Sequence, residues 1–249
     1  MAIIGIIPAR YASTRFPGKP LAIIEGKTVI QHVYEQCKLA ESLKKIIVAT
    51  DDERIANNVK NFGGEAIMTS KEHVNGTSRC VEALTTYEKI VGTTFDIVIN
   101  IQGDEPFIQP EMINKVSSIF NNADAQIGTL AKKIETEEEL FNPNVVKLLI
   151  DKYKKAMIFS RNTLPFIRDV DKSNWITNTV FYKHIGLYGY RKDALFEITK
   201  LKPSRLELAE KLEQLTWMEN GYIVSIEYTE FDSRGIDTTE DLLKLTNKP

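Results

Sequence analysis

The segment Pro8-Ala-Arg-Tyr-Ala-Ser-Thr-Arg-Phe-Pro-Gly-Lys-Pro20 places three cations, Arg10, Arg15 and Lys19, within ten residues. Such a cluster suits a polyphosphate. Gly18 lets the backbone approach an anion closely, and Ser13 and Thr14 add hydroxyl and amide donors. Two familiar phosphate loops are excluded. Walker A needs Gly at position 13 and Ser or Thr after Lys19, where this chain has Ser13 and Pro20. No GxGxxG follows the preceding apolar run, so the dinucleotide fingerprint is absent as well. A solvated basic loop is the plainer alternative, but helices and ion pairs rarely gather three cations among Pro and Gly.

A second segment, Asn100-Ile-Gln-Gly-Asp-Glu-Pro106, puts Asp104 and Glu105 just after Gly103. One or two carboxylates facing a triphosphate are how proteins hold Mg²⁺. An ordinary Gly-Asp turn accounts for the same residues. A third, Gly235-Ile-Asp-Thr-Thr-Glu-Asp-Leu242, spaces Asp237 and Glu240 as a helix N-cap and its N3 partner. An N-cap carboxylate can also turn a free oxygen toward a metal, and spacing alone leaves both readings open. No Ser-His-Asp or Cys-His nucleophile is evident.

Elements able to position these segments are legible in the apolar pattern. The runs Ile3 to Ile7, Ile46 to Ala49 and Ile97 to Ile101 are rich in β-branched residues and apolar on both faces, as expected of covered central strands. Helical periodicity lies between them: Val29, Ile30, Val33 and Cys37; Ile55, Ala56, Val59 and Phe62, stopped by Gly63-Gly64; and Met112 to Phe120 after Pro110. This β-α-β-α order predicts an α/β fold, with a mostly parallel central sheet and helices on both faces. The basic loop then follows a central strand at its carboxyl end, where open α/β sheets bind ligands. The second half is less regular. Strands are expected at Val145 to Ile150, Ala156 to Phe159, Ile185 to Tyr190 and Tyr222 to Tyr228. One long helix is expected from Ser204 to about Glu219, with Ser204 and Glu207 as a capping box, and a last helix from Thr238 to Thr246. No composition break divides the chain, so residues 1–249 read as one domain with an inserted arm at about 168–190.

Composition narrows the class. The 249 residues are 43% apolar and 27% charged, which excludes collagen-like, disordered and coiled-coil readings. With 32 basic and 34 acidic side chains the net charge is -2, giving no global pull toward nucleic acid or an acidic membrane. No apolar run approaches a membrane span, and the apolar start lacks the basic flank of a signal peptide, so it reads as a buried strand. Cys37 and Cys80 stand outside any CxxC or Cys/His pattern, and a reduced, cytoplasmic protein is the natural expectation.

Taken together, the motifs resemble those of the 3-deoxy-manno-octulosonate (Kdo) cytidylyltransferase family. The likeness runs from Ile6-Ile-Pro-Ala-Arg-Tyr-Ala-Ser-Thr-Arg15 to Gly235-Ile-Asp-Thr-Thr-Glu-Asp-Leu242. It takes in Val48-Ala-Thr-Asp51, Gln102-Gly-Asp-Glu-Pro106, Phe159-Ser-Arg161, Lys183-His-Ile-Gly-Leu-Tyr-Gly-Tyr190 and Leu212-Glu-Gln-Leu215, in order. The resemblance implies the nucleotide-diphospho-sugar transferase (Rossmann-like) fold, with the arm serving dimerisation. It implies Mg²⁺-dependent transfer of CMP from CTP to the anomeric hydroxyl of Kdo, with release of pyrophosphate, in lipopolysaccharide biosynthesis. By the same resemblance, Arg10, Arg15 and Lys19 match a triphosphate loop that includes Ser13, and Asp104 and Asp237 match the metal carboxylates. Asn75 and Gly76 fall in a loop near the nucleotide. Gln102, Arg161, Arg168, His184, Tyr188, Glu213 and Gln214 match positions around the sugar acid, with Gln102 also at the nucleotide. A homodimer is implied.

Each assignment has a plainer counterpart: Arg161 and Arg168 as surface cations, His184 as a packed histidine, Glu213 and Gln214 as the solvated face of the long helix. A sugar carboxylate nevertheless calls for a guanidinium, which pairs with it bidentately. The chain departs from the family in His73-Val-Asn-Gly-Thr-Ser-Arg79, where Ser-Gly-Thr-Asp or Glu-Arg is usual and Asn75 and Ser78 stand instead. An amino-substituted Kdo or a sialate-like acid is the competing acceptor, and a nucleotide-binding module without activity the competing class. Both substrates are anions that repel one another; opposite unit charges about 4 Å apart attract by roughly 4 kcal/mol at an effective dielectric of 20. Three cations and Mg²⁺ therefore offset that repulsion, and direct in-line attack by the sugar hydroxyl is the simplest chemistry.

Overall fold

The run Ile3–Ala9 becomes β1, near the centre of a 9-stranded sheet. Ile4, Ile6 and Ile7 lose all contact with solvent there, and each such side chain contributes about 1.5–3 kcal/mol on burial. The computed structural model describes residues 1–12, 16–233, 235, 236, 238, 240 and 241. After β1 come the short hairpin β2 (Ile23–Ile24) and β3 (Lys27–Thr28), α1 (Val29–Lys38), β4 (Lys45–Thr50) and α2 (Glu53–Asn61). Next are β5 (Ala66–Met68), α3 (Gly76–Val91), β6 (Ile97–Asn100) and α4 (Pro110–Ile119). The second half holds β7 (Ile127–Lys133), α5 (Glu137–Phe141), β8 (Lys147–Ile150), β9 (Ala156–Ser160) and α6 (Trp175–Asn178). It ends with β10 (Tyr182–Arg191), α7 (Lys192–Ile198), α8 (Arg205–Glu210), α9 (Glu213–Glu219) and β11 (Val224–Tyr228).

The strand order is β11-β7-β10-β6-β1-β4-β5. β5, β4, β1 and β6 run parallel, so the loops that follow β1 and β6 leave the sheet side by side. β11 is parallel to β7, whereas β10 is antiparallel to both β6 and β7. Helices α1, α2 and α4 pack their apolar stripes on one face of the sheet; α3, α7 and α9 pack on the other. The mostly parallel sheet with helices on both faces is thus present. Among the described residues no helix is long and apolar enough to cross a membrane.

Two expectations need correction. The stretch 168–190 is not all arm: its second part is β10, bonded between β7 and β6 in the middle of the sheet. The part before it carries α6, pinned where Trp175 stacks on Phe181 and donates from Nε1 to the Val170 carbonyl at 2.9 Å. The long helix is in fact two, because Lys211 adopts a left-handed conformation (φ 55) and the chain turns before α9. Ser204 does cap α8, its Oγ accepting from Glu207 N at 3.2 Å, but the return half of the capping box is taken over by Thr216 of α9. Ser204 N donates to Thr216 Oγ1 at 2.8 Å, and that hydroxyl donates to the Glu207 carboxylate. Toward the end of the described residues Thr238 pairs reciprocally with Asp241, while Asp237 itself lies outside them. Thr238 Oγ1 accepts from Asp241 N at 3.1 Å, and Asp241 Oδ2 accepts from Thr238 N at 2.9 Å. Residues 239 and 242–246 of the expected last helix lie outside the described residues.

The buried Thr216 hydroxyl therefore joins α8 to α9. Thr216→Val leaves Ser204 N–H and the Glu207 carboxylate short of a partner, an expected loss of about 1–3 kcal/mol. Scanning calorimetry should show a lower Tm, each 1 kcal/mol giving about 2–4 °C for a chain of this size. An unchanged Tm would mean that the helices join without this hydroxyl.

Candidate active site

The loops after β1 and β6 are pressed together because residue 103 has no side chain. A Cβ there would lie 2.6 Å from the Pro8 carbonyl, closer than any real contact allows. The turn of Gln102-Gly103-Asp104 therefore rests on Pro8-Ala9, and a cavity of about 250 Å³ opens above them. Arg10, Lys19, Asn75, Gly76, Gln102 and Asp104 all line it, six of the residues singled out in the sequence. Lys19 is held by its own loop: Gly18, at φ 74, donates its N–H to the Tyr11 carbonyl at 2.9 Å and closes the turn. The Arg54 guanidinium stacks 3.4 Å above the Tyr11 ring and pairs with Asp52 at 2.7 Å. Lys19 Nζ reaches across to Asp104 Oδ2 at 2.5 Å, so cation and carboxylate from two loops meet in the cavity. Ser13, Thr14, Arg15 and Asp237 lie outside the described residues. The Asp104 carbonyl accepts from Ile236 N at 2.9 Å, which docks the 235–236 backbone on the same turn.

The third wall is the start of α3. Asn75 caps the helix, its Oδ1 accepting from Ser78 N at 2.9 Å, and the positive end of a 16-residue helix meets the cavity at Gly76. Two further lining residues were not singled out as site residues from sequence. Arg79 is buried, donating to Thr69 Oγ1 at 2.6 Å and to Asp51 Oδ2 at 3.0 Å. His73 lies 3.2 Å from Ser78 Oγ through Nδ1 and pairs through Nε2 with Glu82. Arg79 carried no local signal, because the partners that define its place, Thr69 and Asp51, lie elsewhere in the sequence. His73 carried none. Glu105 points away from solvent, and its burial pushes the carboxyl up to about 7, with Asp104 adding to the rise and a hydrogen bond from Ser233 opposing it.

Beside this cavity the sheet itself is interrupted. β6 stops pairing with β10 at Tyr188, β8 meets β10 only at Tyr182 and Lys183, and a bulge falls between Ile185 and Tyr188. A second cavity of about 340 Å³ is lined there by His184, Ile185 and Gly186. Gln102 Nε2 donates to the Gly186 carbonyl at 3.4 Å and so links the two cavities. His184 packs between Phe159 and Tyr188, and burial pushes its imidazole down to about 3, so the ring is neutral. Thr129 Oγ1 lies 3.0 Å from His184 Nε2 and 2.8 Å from the Leu187 carbonyl. A hydroxyl has one proton; given to that carbonyl, it makes Nε2 the N–H donor and leaves Nδ1 as an acceptor.

The remaining sugar-side residues divide. Glu213, first residue of α9, accepts from Asn75 Nδ2 and Thr77 Oγ1, each at 3.0 Å, and is therefore not on a solvated face. Gln214 is buried beside it. Tyr188 is buried edge-on to Trp217, and its hydroxyl has no hydrogen-bond partner among the described residues. Arg161 donates from Nε to the Glu210 carbonyl at 2.6 Å and from Nη1 to the Pro143 carbonyl at 3.1 Å. Arg168 lines neither cavity; its side chain is 89% exposed and pairs with Asp169.

A cationic loop, a helix N-terminus and a carboxylate at the carboxyl edge of parallel strands define an α/β protein built to hold a phosphorylated nucleotide. Residues 4–229 match the family model described as cytidylyltransferase. A 3-deoxy-manno-octulosonate cytidylyltransferase of Cytophaga hutchinsonii is 52% identical, covering 99% of this chain and 97% of that protein. One of the same name from Parabacteroides distasonis is 53% identical over 98% of this chain and 96% of its own. A solved structure of CMP:2-keto-3-deoxy-manno-octonic acid synthetase complexed with CTP superposes with a TM-score of 0.90. It is 36% identical, covering 99% of this chain and 97% of that one. The chain belongs to the cytidylyltransferase family, within its 3-deoxy-manno-octulosonate branch.

Burial raises the Glu213 carboxyl to about 7, with Thr77 opposing the rise and Glu207 adding to it. In the unfolded chain it titrates near the ordinary value of about 4.5. Between these values the folded form holds the extra proton, so stability from this group is full below pH ~4.5 and lost as pH rises through ~7. Glu213→Gln removes that dependence. The Tm difference, variant minus parent, should rise from pH 4.5 to 8; a flat difference would mean that Glu213 is ionised in the fold at low pH.

Proposed function

We propose that the protein transfers CMP from CTP to the anomeric hydroxyl of Kdo and releases pyrophosphate, supplying the activated sugar for lipopolysaccharide biosynthesis. The observation that carries this reading is the meeting of Lys19, Asp104 and the α3 N-terminus in one cavity that adjoins the opening in β10. Arg10, Lys19 and the amides at Gly76 offer donors to the phosphates, with Ser13 and Arg15 assigned to the same loop. The triphosphate draws Lys19 Nζ from the Asp104 carboxylate, which leaves that carboxylate open toward a cation. Asp104 is a hard oxygen donor at the cavity edge, its side chain 30% exposed, and this chemistry fits Mg²⁺, which keeps several waters. Asp104 and Asp237 would hold the ion, and when bound it polarises the phosphate and lowers the pKa of the attacking hydroxyl. Gln102, neutral His184 with its free Nδ1, and Glu213 present acceptors and a donor to sugar hydroxyls, and Arg161 is assigned to the carboxylate.

The protein works in the cytoplasm as a homodimer in this reading. Met157, Ile158, Phe166 and Val180 leave apolar side chains exposed on β9 and the segment before β10, which supports pairing of two copies through that face. Arg168 then joins a sugar pocket only when supplied across such a pair.

Pyrophosphate release from CTP plus Kdo, dependent on Mg²⁺, tests the reading directly; silence with Kdo and with every other sugar acid would leave a binding module. Asp104→Asn keeps the shape but removes the charge. It should lower the Tm modestly, since Lys19 loses a charged partner, lose most turnover and recover part of it at high Mg²⁺; Asp237→Asn should lose and recover turnover likewise. The double variant should be less than additive, since both residues hold one ion. Normal Mg²⁺ dependence in either variant would remove that residue from the metal site. Lys19→Ala should lower turnover at limiting CTP far more than at limiting Kdo, read from initial rates.

A further inference from the structure

Asn75 has two polar groups, and the fold engages both. Oδ1 accepts from Ser78 N at 2.9 Å and caps α3; Nδ2 donates to Glu213 Oε1 at 3.0 Å, across 138 residues of chain. Two residues on, Thr77 Oγ1 donates to Glu213 Oε2 at 3.0 Å. Each oxygen of the carboxylate thus receives one donor from the same helix turn, and that turn borders the nucleotide cavity at Asn75 and Gly76. Once ionised, above pH ~7, this carboxylate has about four acceptor positions, so two remain, with their direction set by α3. Ser78 reinforces the turn by donating from Oγ to the Asn75 carbonyl at 3.2 Å.

We propose that Asn75 is a positioning residue for the sugar acid, aiming the Glu213 carboxylate at its hydroxyls and tying that aim to the helix turn that borders the nucleotide. The inference rests on the reading of Glu213 as a sugar-side residue. An aimed carboxylate accepts from hydroxyl donors and repels a carboxylate, so it selects the polyol end of an acidic sugar and directs the acid end elsewhere. With its side chain occupied, Asn75 meets the nucleotide through its backbone, which a serine retains. Serine also keeps an oxygen for the α3 cap, but with Oγ held at Ser78 N it lacks the Nδ2 arm that reaches Glu213.

Steady-state kinetics on the full chain, with CTP and Kdo varied separately, test this. Asn75→Ser should raise KM for Kdo about tenfold, the equivalent of one hydrogen bond to a charged group, with KM for CTP within about twofold. Asn75→Asp keeps the cap and shape but sets a carboxylate against Glu213 and should do worse. Thr77→Val should act in the same direction, and Thr77→Ser should restore the parent value. Asn75→Ser added to Glu213→Gln should change little further, since the residue it positions is already altered. Equal changes in both KM values, or effects that multiply in the double variant, would overturn the proposal. Failure of the parent to form CMP-Kdo would instead overturn the function on which it rests.

Discussion

Everything at this site follows from how closely two loops approach. β1 and β6 are hydrogen-bonded neighbours, so the chains leaving them must occupy adjacent space, and side chains would normally hold them apart. Gly103 removes that obstacle and lets its turn lie on the Pro8 carbonyl. The consequence is electrostatic. A cation that follows β1 and a carboxylate that follows β6 come within 2.5 Å, although 85 residues separate them. Neither loop alone has a function in this geometry; the basic loop would be a solvated surface and the acidic turn a plain reversal.

The charges are balanced in pairs before any ligand arrives. Lys19 faces Asp104, Arg79 faces Asp51, and Lys183 bridges to Asp232 near the second cavity. Buried or half-buried ions without partners are costly, so each of these three cations is held by an acid that an incoming anion must replace. The neutral groups follow a different rule. His184 and Gln102 are set by hydrogen bonds to backbone or hydroxyl groups at the interruption of β10, which fixes their direction without adding charge.

The first half of the fold was legible because its strands are buried on both sides and its helices carry a clear 3.6-residue stripe. Ile3 to Ile7 and Val29 to Cys37 behave in the structure as their spacing requires. The long helix was misread at Lys211, since lysine carries no signal for a left-handed turn and the leucine stripe continues past it. The arm was drawn too far because the ladder that makes β10 central joins it to strands distant in sequence. In the site, the clustered cations and Asp104 could be read locally. Arg79 could not, because its role depends on Asp51 and Thr69 closing around it. The departures at Asn75 and Ser78 looked like a loss in the sequence. In three dimensions they keep the α3 cap, and Asn75 gains a bond to Glu213 that no local pattern could disclose.

The left-handed residue at 211 has a consequence for how this enzyme can change over generations. A continuous helix would lock the azimuth of Glu213 to every residue before it, so any shift in the outer helix would rotate the carboxylate. Broken at Lys211, the rotation stops there. The outward Leu206 and Leu208 of α8 can drift, accept new neighbours or acquire charge while α9 keeps its own bearing on the sheet through Leu215 and Trp217. A single backbone kink thus separates a surface open to variation from a side chain that must hold its heading.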